Sequence, residues 1–413
     1  MDRRIWTALE TALATSPVVA ITGPRTSGKS TLARQVVATR GGTLLDLDDP
    51  AVRRLAAQDP TAFVGNLEEP IVLDEFQRVP DLLAAIKAEL NRDRRPCRFV
   101  LAGSARHQVV PELADFLTGR VELLTLWPFA VAELARGSSS FVDRLFSGEI
   151  LHARRTSAIS RADLVDLVLR GGYPIAVGLP PDARVRWFAN LAALVVERLG
   201  DDVSQVRRPD VVRRFLRWSA ARTATVLNAA EIGRDVGIGR DQAGTYLRLL
   251  ELVYLIIELP AWSMSLSARV AKRPKLHLVD SGLAAALQGV TAEGLSPVDP
   301  VGATRFGALL ETFVATEVIK QLGWSSLSVT VSHFRTADGI EVDLVLEAVD
   351  GRIAAIEVKA GRRVTPAATR GLEHLRDRLG DRFVAGVVLT SGEHAQRLGD
   401  RLAVAPVDTL WLS

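Results

Sequence analysis

The segment Gly23-Pro24-Arg25-Thr26-Ser27-Gly28-Lys29-Ser30 constrains this chain more than any other. A β-branched run, Val18-Val19-Ala20-Ile21, leads into it, and Thr31 to Val36 continues with helical character. It is a G-x-x-x-x-G-K-S loop between a strand and a helix. The glycines permit a tight turn whose backbone N–H groups point inward onto phosphate. The helix start adds a dipole that favours negative charge. Lys29 is placed to neutralise the β- and γ-phosphates, and Ser30 to bind Mg²⁺. The expected nucleotide-binding set is therefore Gly23, Pro24, Arg25, Thr26, Ser27, Gly28, Lys29, Ser30 and Thr31, with ATP as the cofactor. A Gly-rich turn that binds nothing is the bland alternative.

A second strand supports the nucleotide reading. Pro70-Ile71-Val72-Leu73 ends in Asp74-Glu75. Asp74 is placed to hold Mg²⁺ through water and Glu75 to activate the attacking water. A third strand, Arg98 to Ala102, ends at Gly103-Ser104, where Ser104 can sense the γ-phosphate. A fourth, Val121 to Leu126, follows Gly119-Arg120. Arg120 at such an edge can act as a finger on a neighbouring subunit's nucleotide, with Arg106 as competitor.

These residues resemble the prokaryotic AAA-type ATPases that carry a long C-terminal region of unknown function. The phrases that carry the resemblance are Gly23-Pro24-Arg25, Gly28-Lys29-Ser30, Leu73-Asp74-Glu75-Phe76-Gln77-Arg78-Val79-Pro80 and Ala102-Gly103-Ser104. Membership implies an ASCE-type sheet, in which one strand separates the P-loop strand from the strand ending in Asp74. It also implies ATP hydrolysis with Mg²⁺ and a homo-oligomer.

At 413 residues the chain is too long for one ordinary core. The expected fold class is α/β multidomain. It comprises an AAA/ASCE P-loop domain over 1–136, a helical and winged-helix domain over 137–290, and a PD-(D/E)xK-like α/β domain over 291–413. A net charge of +3 gives no general warrant for nucleic acid; only local clusters would. A single cysteine, Cys97, implies no oxidising compartment. The N-terminus lacks a signal-peptide core, and the richest apolar stretch, 252–262, is too short to span a bilayer. A cytoplasmic chain is expected. Lysine occurs at six positions only, 29, 87, 272, 275, 320 and 359, so each is worth inspection.

The middle of the chain reads as a DNA module. Residues 209–222 form an amphipathic helix with Arg213, Arg214, Arg217 and Arg222 on its polar face, and Arg207 and Arg208 before it. Asn228 caps a helix to Val236, Gly237-Ile238-Gly239 turns, and Asp241 to Leu252 forms the next helix. The strand-like 253–262 follows as a wing. A recognition helix would expose Arg240, Gln242, Thr245, Tyr246 and Arg248 to phosphates and base edges. Packing without DNA contact is the plain alternative. A basic stretch, Arg269 to Lys275, leads into Asp280, read as a helix cap.

In the last third, Gly307 to Lys320 is an apolar-periodic helix carrying Glu311. A meander of three strands follows, turning at Asp338-Gly339 and Asp350-Gly351. Alternation puts Glu357 and Lys359 on one face. Asp343 on one strand with Glu357-Val358-Lys359 on the next resembles the PD-(D/E)xK phosphodiesterase core. That resemblance implies Asp343 and Glu357 as ligands for Mg²⁺ or Mn²⁺, Glu311 completing the site, and Lys359 orienting the water. A surface salt-bridge ladder is the alternative. Two functions follow from the whole chain. One is an ATP-driven DNA-processing enzyme with a metal-dependent nuclease-like domain. The other is a nucleotide-controlled switch binding DNA or protein, whose nuclease-like domain does not cleave.

Overall fold

The computed structural model describes residues 3–104, 113, 117–135, 137, 139–153, 156–202 and 209–412. Arg106, Arg207 and Arg208 lie outside the described residues. The chain folds as two compact units, Met1–Phe129 with Leu252–Tyr254, and Ala130–Glu251 with Leu255–Ser413.

The first unit is a parallel sheet. Its strands are β1 (Val18–Thr22), β2 (Thr43–Asp46), β3 (Ile71–Asp74), β4 (Phe99–Ala102) and β5 (Val121–Thr125), in the order β2-β3-β4-β1-β5. All four pairings are parallel. Thus β4 separates β1 from β3, as the AAA resemblance implies. β1, β3 and β4 are buried along their whole length, so both faces must be covered. Alternation divides them between two cores. Val19, Ile21, Val72 and Val100 pack with helices α1 (Trp6–Thr15) and α2 (Lys29–Arg40). Val18, Ala20, Leu73 and Leu101 pack with α3 (Leu82–Arg92). This puts the C-terminal ends of β1, β3 and β4 side by side, where the motif residues lie.

The second unit holds a helical layer and two sheets. Its helices include α4 (Arg161–Arg170), α5 (Pro181–Asp202), α6 (Pro209–Ala221), α7 (Ala229–Val236), α8 (Arg240–Leu252), α9 (Ser281–Gln288), α10 (Pro300–Gln321) and α11 (Pro366–Leu379). The small antiparallel sheet has the order β6 (Thr225–Val226), β8 (Lys275–Leu278), β7 (Ile256–Leu259). The large sheet has the order β13-β14-β12-β11-β10-β9, from β9 (Val329–Arg335), β10 (Glu341–Ala348), β11 (Ile353–Lys359), β12 (Phe383–Thr390), β13 (Gln396–Gly399) and β14 (Leu402–Pro406). β9, β10 and β11 form the expected antiparallel meander. α11 then crosses over to β12, which pairs parallel to β11.

Residues 137–290 and 291–413 both lie within this unit. Buried polar contacts cross residue 290. Thr223 Oγ1 and Thr312 Oγ1 lie 2.7 Å apart, and Trp262 N donates to His333 O at 2.6 Å. Three local expectations need correction or support. Only Ile256–Leu259 of the stretch 253–262 is strand, because Tyr254 takes a left-handed φ of 58° just before it. Tyr246 is buried, not exposed, since its ring meets Phe215 edge-on. Asp280 does cap its helix, accepting from Leu283 N at 3.0 Å. Among the described residues no helix is long and apolar enough to cross a membrane.

Candidate functional site

In the first unit the loop between β1 and α2 has the backbone its sequence demands. Gly23 has φ +147°, and a Cβ there would lie 2.2 Å from Leu126 O. Gly28, at φ +102°, caps α2 from the left-handed region. Lys29 is buried, and its Nζ donates to Gly23 O (3.0 Å) and Pro24 O (2.7 Å). Burial pushes its pKa down to about 8, against the opposing pull of Glu75 and Asp74. Ser27 Oγ is buried with no partner, an orphan in the cradle that a phosphate oxygen would satisfy. Pro24 is buried, Arg25 half-buried, and Thr26 and Thr31 exposed.

β3 brings its carboxylates to this loop. Burial raises the Asp74 pKa, while a hydrogen bond from the Ser30 side chain lowers it. Ser30 and Asp74 are thus the adjacent pair that could hold Mg²⁺. Glu75 sits in the left-handed region at φ 54°, an arrangement costing on the order of 1–3 kcal/mol for a non-glycine residue. Its Oε2 accepts from Ser104 Oγ at 3.2 Å and from Gln77 Nε2. Ser104 therefore reaches Glu75 from the end of β4. Arg120 is half-buried beside the edge strand β5, its Nη1 3.5 Å from Lys87 O. Two contributors escaped the sequence reading. Gln77 orients Glu75, and Arg3 ties the loop down by donating to Ser27 O (3.1 Å) and Trp127 O (2.6 Å). Gln77 lies in a phrase that carries the family resemblance, which assigns it no role, and Arg3 belongs to no motif.

The second unit gathers Glu311 from α10, Asp343 from β10, and Glu357 and Lys359 from β11. The antiparallel register sets Leu344 opposite Ile356, which runs Asp343 toward Glu357. Lys359 Nζ donates to Glu357 Oε1 at 2.6 Å, so the two do share a face. A residue from outside the motif completes the cluster. Lys275 of β8, buried, donates to Glu311 Oε1 (2.7 Å) and to Asp343 Oδ1 (3.0 Å). Asp343 Oδ2 accepts from Val358 N at 2.9 Å. Glu357 Oε2 is buried with no partner.

Electrostatics follow from that geometry. Burial opposes charge on Lys275, but Asp343 and Glu311 outweigh it and hold the ammonium firmly protonated. Burial likewise opposes the Asp343 carboxylate, yet Lys275 and the Val358 N–H keep its pKa below the usual range. Burial, with repulsion from Asp343, pushes Glu311 and Glu357 up to about 8. Behind Lys275, burial drives His277 down to about 3 and His333 to about 4, so both are neutral. Among the described residues no group of three or more His, Cys, Asp or Glu is arranged to hold a metal ion. Lys275 already supplies the positive charge between Glu311 and Asp343.

The predicted DNA residues divide between two helices. On α6, Arg213 pairs with Glu197 of α5 (2.7 Å), and Arg214 lies 4.0 Å from Asp210. Arg222, just past the helix, pairs with Glu231 at 2.5 Å. Arg217 lines a groove of about 370 Å³ with Arg213, Leu216 and Gln288. On α8, Arg240, Gln242 and Arg248 are exposed and Thr245 half-buried. Gln242 Nε2 donates to Tyr246 Oη (2.8 Å), and Arg248 Nη2 to Thr245 Oγ1 (3.3 Å).

Residues 15–135 match the family model of an AAA domain. Residues 161–294 and 306–410 match two domains of unknown function, DUF8612 and DUF4143. An uncharacterised protein of Mycobacterium tuberculosis is 30% identical over 411 residues, 97% of this chain and 82% of the relative. One of Mycobacterium bovis matches to the same extent. Among solved structures the chain is similar to a Walker-type ATPase of Pyrococcus abyssi. That similarity has 16% identity and a TM-score of 0.43, over 69% of this chain and 94% of the other. The Holliday junction branch migration motor RuvB of Thermotoga maritima aligns at 17% identity and a TM-score of 0.31, over 62% and 89%. The first unit is an AAA-type ATPase fold, by its matched AAA domain and its strand order.

Proposed function

The chain belongs to the same family as these two mycobacterial proteins, and from that premise we propose that it is an ATP-hydrolysing switch. In this reading, the nucleotide state of the first unit sets how strongly the second holds DNA, and the second unit's carboxylate cluster does not cut. The observation that carries it is the convergence of Lys29, Ser30, Asp74, Glu75 and Ser104 at adjacent strand ends.

Each residue then has a task. Backbone N–H groups of the loop and Lys29 bind the phosphates, Lys29 releasing the carbonyls of Gly23 and Pro24. Ser30 and Asp74 would hold Mg²⁺, which supplies charge neutralisation on the phosphate oxygens. Glu75, fixed by Ser104 and Gln77, orients the attacking water and accepts its proton. Arg120 serves the nucleotide of a neighbouring copy in a homo-oligomer.

The order α6, β6, α7, turn, α8, then the antiparallel pair β7 and β8 joined through a helix at Leu266–Ala271, supports a winged-helix reading of the DNA module. Its exposed basic side chains include Arg240 and Arg248 on α8, while Arg213 and Arg214 of α6 are committed to acids. The order α10, β9, β10, β11, α11, β12 supports a PD-(D/E)xK-like ancestry for the large sheet. Lys275 between Glu311 and Asp343 favours the non-cleaving form over a metal-dependent nuclease.

The test measures ATP turnover and the affinity for labelled duplex and branched DNA in the presence of ATP, ADP or neither. ATP and ADP should give different affinities, and Lys29→Ala should remove both turnover and the difference. Equal affinity in all three states would sink the switch. Nicking by wild type that vanishes in Asp343→Ala would establish the nuclease instead.

A further inference from the structure

We infer that the Lys275 ammonium is a tethered cation occupying the position a divalent metal would need between Glu311 and Asp343, so that the native site is closed to Mg²⁺ and Mn²⁺. The inference rests on the non-cleaving reading above and gives it a physical cause.

The oxygen accounting comes first. A divalent cation of this class draws several oxygens to roughly 2.0–2.6 Å around one point. Here Glu311 Oε1 and Asp343 Oδ1 converge on Lys275 Nζ, at 2.7 and 3.0 Å. The remaining oxygen of Asp343 is taken by Val358 N–H, and Glu357 Oε1 by Lys359. Within this cluster Glu357 Oε2 is buried and has no hydrogen-bond partner among the described residues. The site is shaped for a cation, and one is already in it.

The lysine cannot easily leave. It stands on the central strand of the small sheet, paired with Val226 on one side and Leu259 on the other. Its side chain is 7% exposed. Neutral His277 and His333 lie close by, and neither offers the ammonium a second carboxylate pair. A metal entering beside it would put two cations a few ångströms apart in a poorly solvated place, where their repulsion is large. Loading therefore requires Lys275 to be removed.

The full-length protein without nucleotide should be titrated with Mn²⁺ and free Mn²⁺ followed by electron paramagnetic resonance. Wild type and Asp343→Asn should give the same isotherm, because Asp343 holds no metal in the native protein. Lys275→Met, checked for folding by circular dichroism, should gain one site. Lys275→Met/Asp343→Asn should lose it again. A wild-type site that disappears in Asp343→Asn overturns the inference, as does a folded Lys275→Met that gains nothing. If Lys275→Met does not fold, the wild-type pair decides alone. A wild-type metal site would leave nucleotide-dependent DNA affinity untouched, so the two proposals fail separately.

Discussion

Two buried lysines, one in each unit, show how partners rather than burial decide what a charge is for. Lys29 and Lys275 are 5% exposed alike. Lys29 leans on two carbonyls of its own loop, and burial pulls its pKa down to about 8. Lys275 is gripped by two carboxylates, which outweigh burial and push its pKa up. Neutral acceptors leave Lys29 with electrostatic demand that a polyphosphate would meet. The ionised Asp343, with Glu311 beside it, leaves Lys275 with none. The first lysine awaits an anion; the second already has one.

The sharpest way to break that contrast is to delete each charge. Lys29→Ala should reduce ATP turnover by about 100-fold or more, the scale on which one preorganised charge stabiliser acts. Its folding stability should change little, since the ammonium's hydrogen-bond acceptors are neutral carbonyls and the pull of Glu75 and Asp74 does not fully offset its burial. Steady-state turnover and urea unfolding of the same variant check both halves. Retained turnover would remove Lys29 from the site. Glu75→Gln should likewise lose about 10²–10⁴-fold in hydrolysis yet keep ATP affinity. Lys275→Met should do the reverse and destabilise the second unit by about 3–5 kcal/mol, because it strands two buried carboxylates. An unchanged urea midpoint would show that the ion pairs stabilise nothing.

The first lysine was legible in the sequence and the second was not, for a physical reason. Lys29, Asp74, Glu75 and Ser104 all lie at the ends of apolar runs that can only be buried parallel strands. Chain order alone brings such ends together. Lys275 sits in Arg269-Val270-Ala271-Lys272-Arg273-Pro274-Lys275, which reads as solvated surface. Its alternation with His277 marks a polar strand face, normally the wet one. Tertiary packing covers that face with α10 and β10, and only their acids make the burial tolerable. The same limit explains Tyr246, whose burial depends on Phe215 of another helix. Glu311, Glu357 and Lys359 were named correctly as neighbours, but residue types cannot show that a lysine from β8 has joined them.

A smaller effect separates the carboxylates from the histidines around Lys275. Glu311 and Glu357, raised to about 8, keep protons in the folded state that the unfolded chain releases near pH 4.5. More protons bound when folded means that stability falls as pH rises through that window. His277 and His333, lowered to about 3 and 4, act oppositely and lose stability as pH falls below their unfolded value of 6.5. Below pH 6.5 the two trends oppose each other; between 6.5 and 8 only the carboxylates act. The unfolding free energy should therefore fall over that upper interval, by about 2 kcal/mol if the folded pair keeps one proton more than the unfolded chain. Glu357→Gln should flatten the slope. A flat wild-type profile would mean the carboxylates are ionised throughout.

The smallest expected effect tests the arginines of α6. Arg213 and its partner Glu197 are each about half exposed, at 49% and 51%, and Arg214 and Asp210 are more so. Exposed pairs of this kind contribute roughly 0–1 kcal/mol. Arg213→Ala should thus leave stability almost unchanged. Its effect on DNA should also be slight, because the acid already neutralises it locally. Arg240→Ala and Arg248→Ala remove exposed charges on α8, so they should weaken duplex binding and flatten its dependence on salt. Ranking the three variants by the slope of affinity against salt concentration sharpens the comparison at the surface. A larger loss from Arg213→Ala than from the α8 pair would move the DNA contact to α6 and show that Glu197 yields to phosphate.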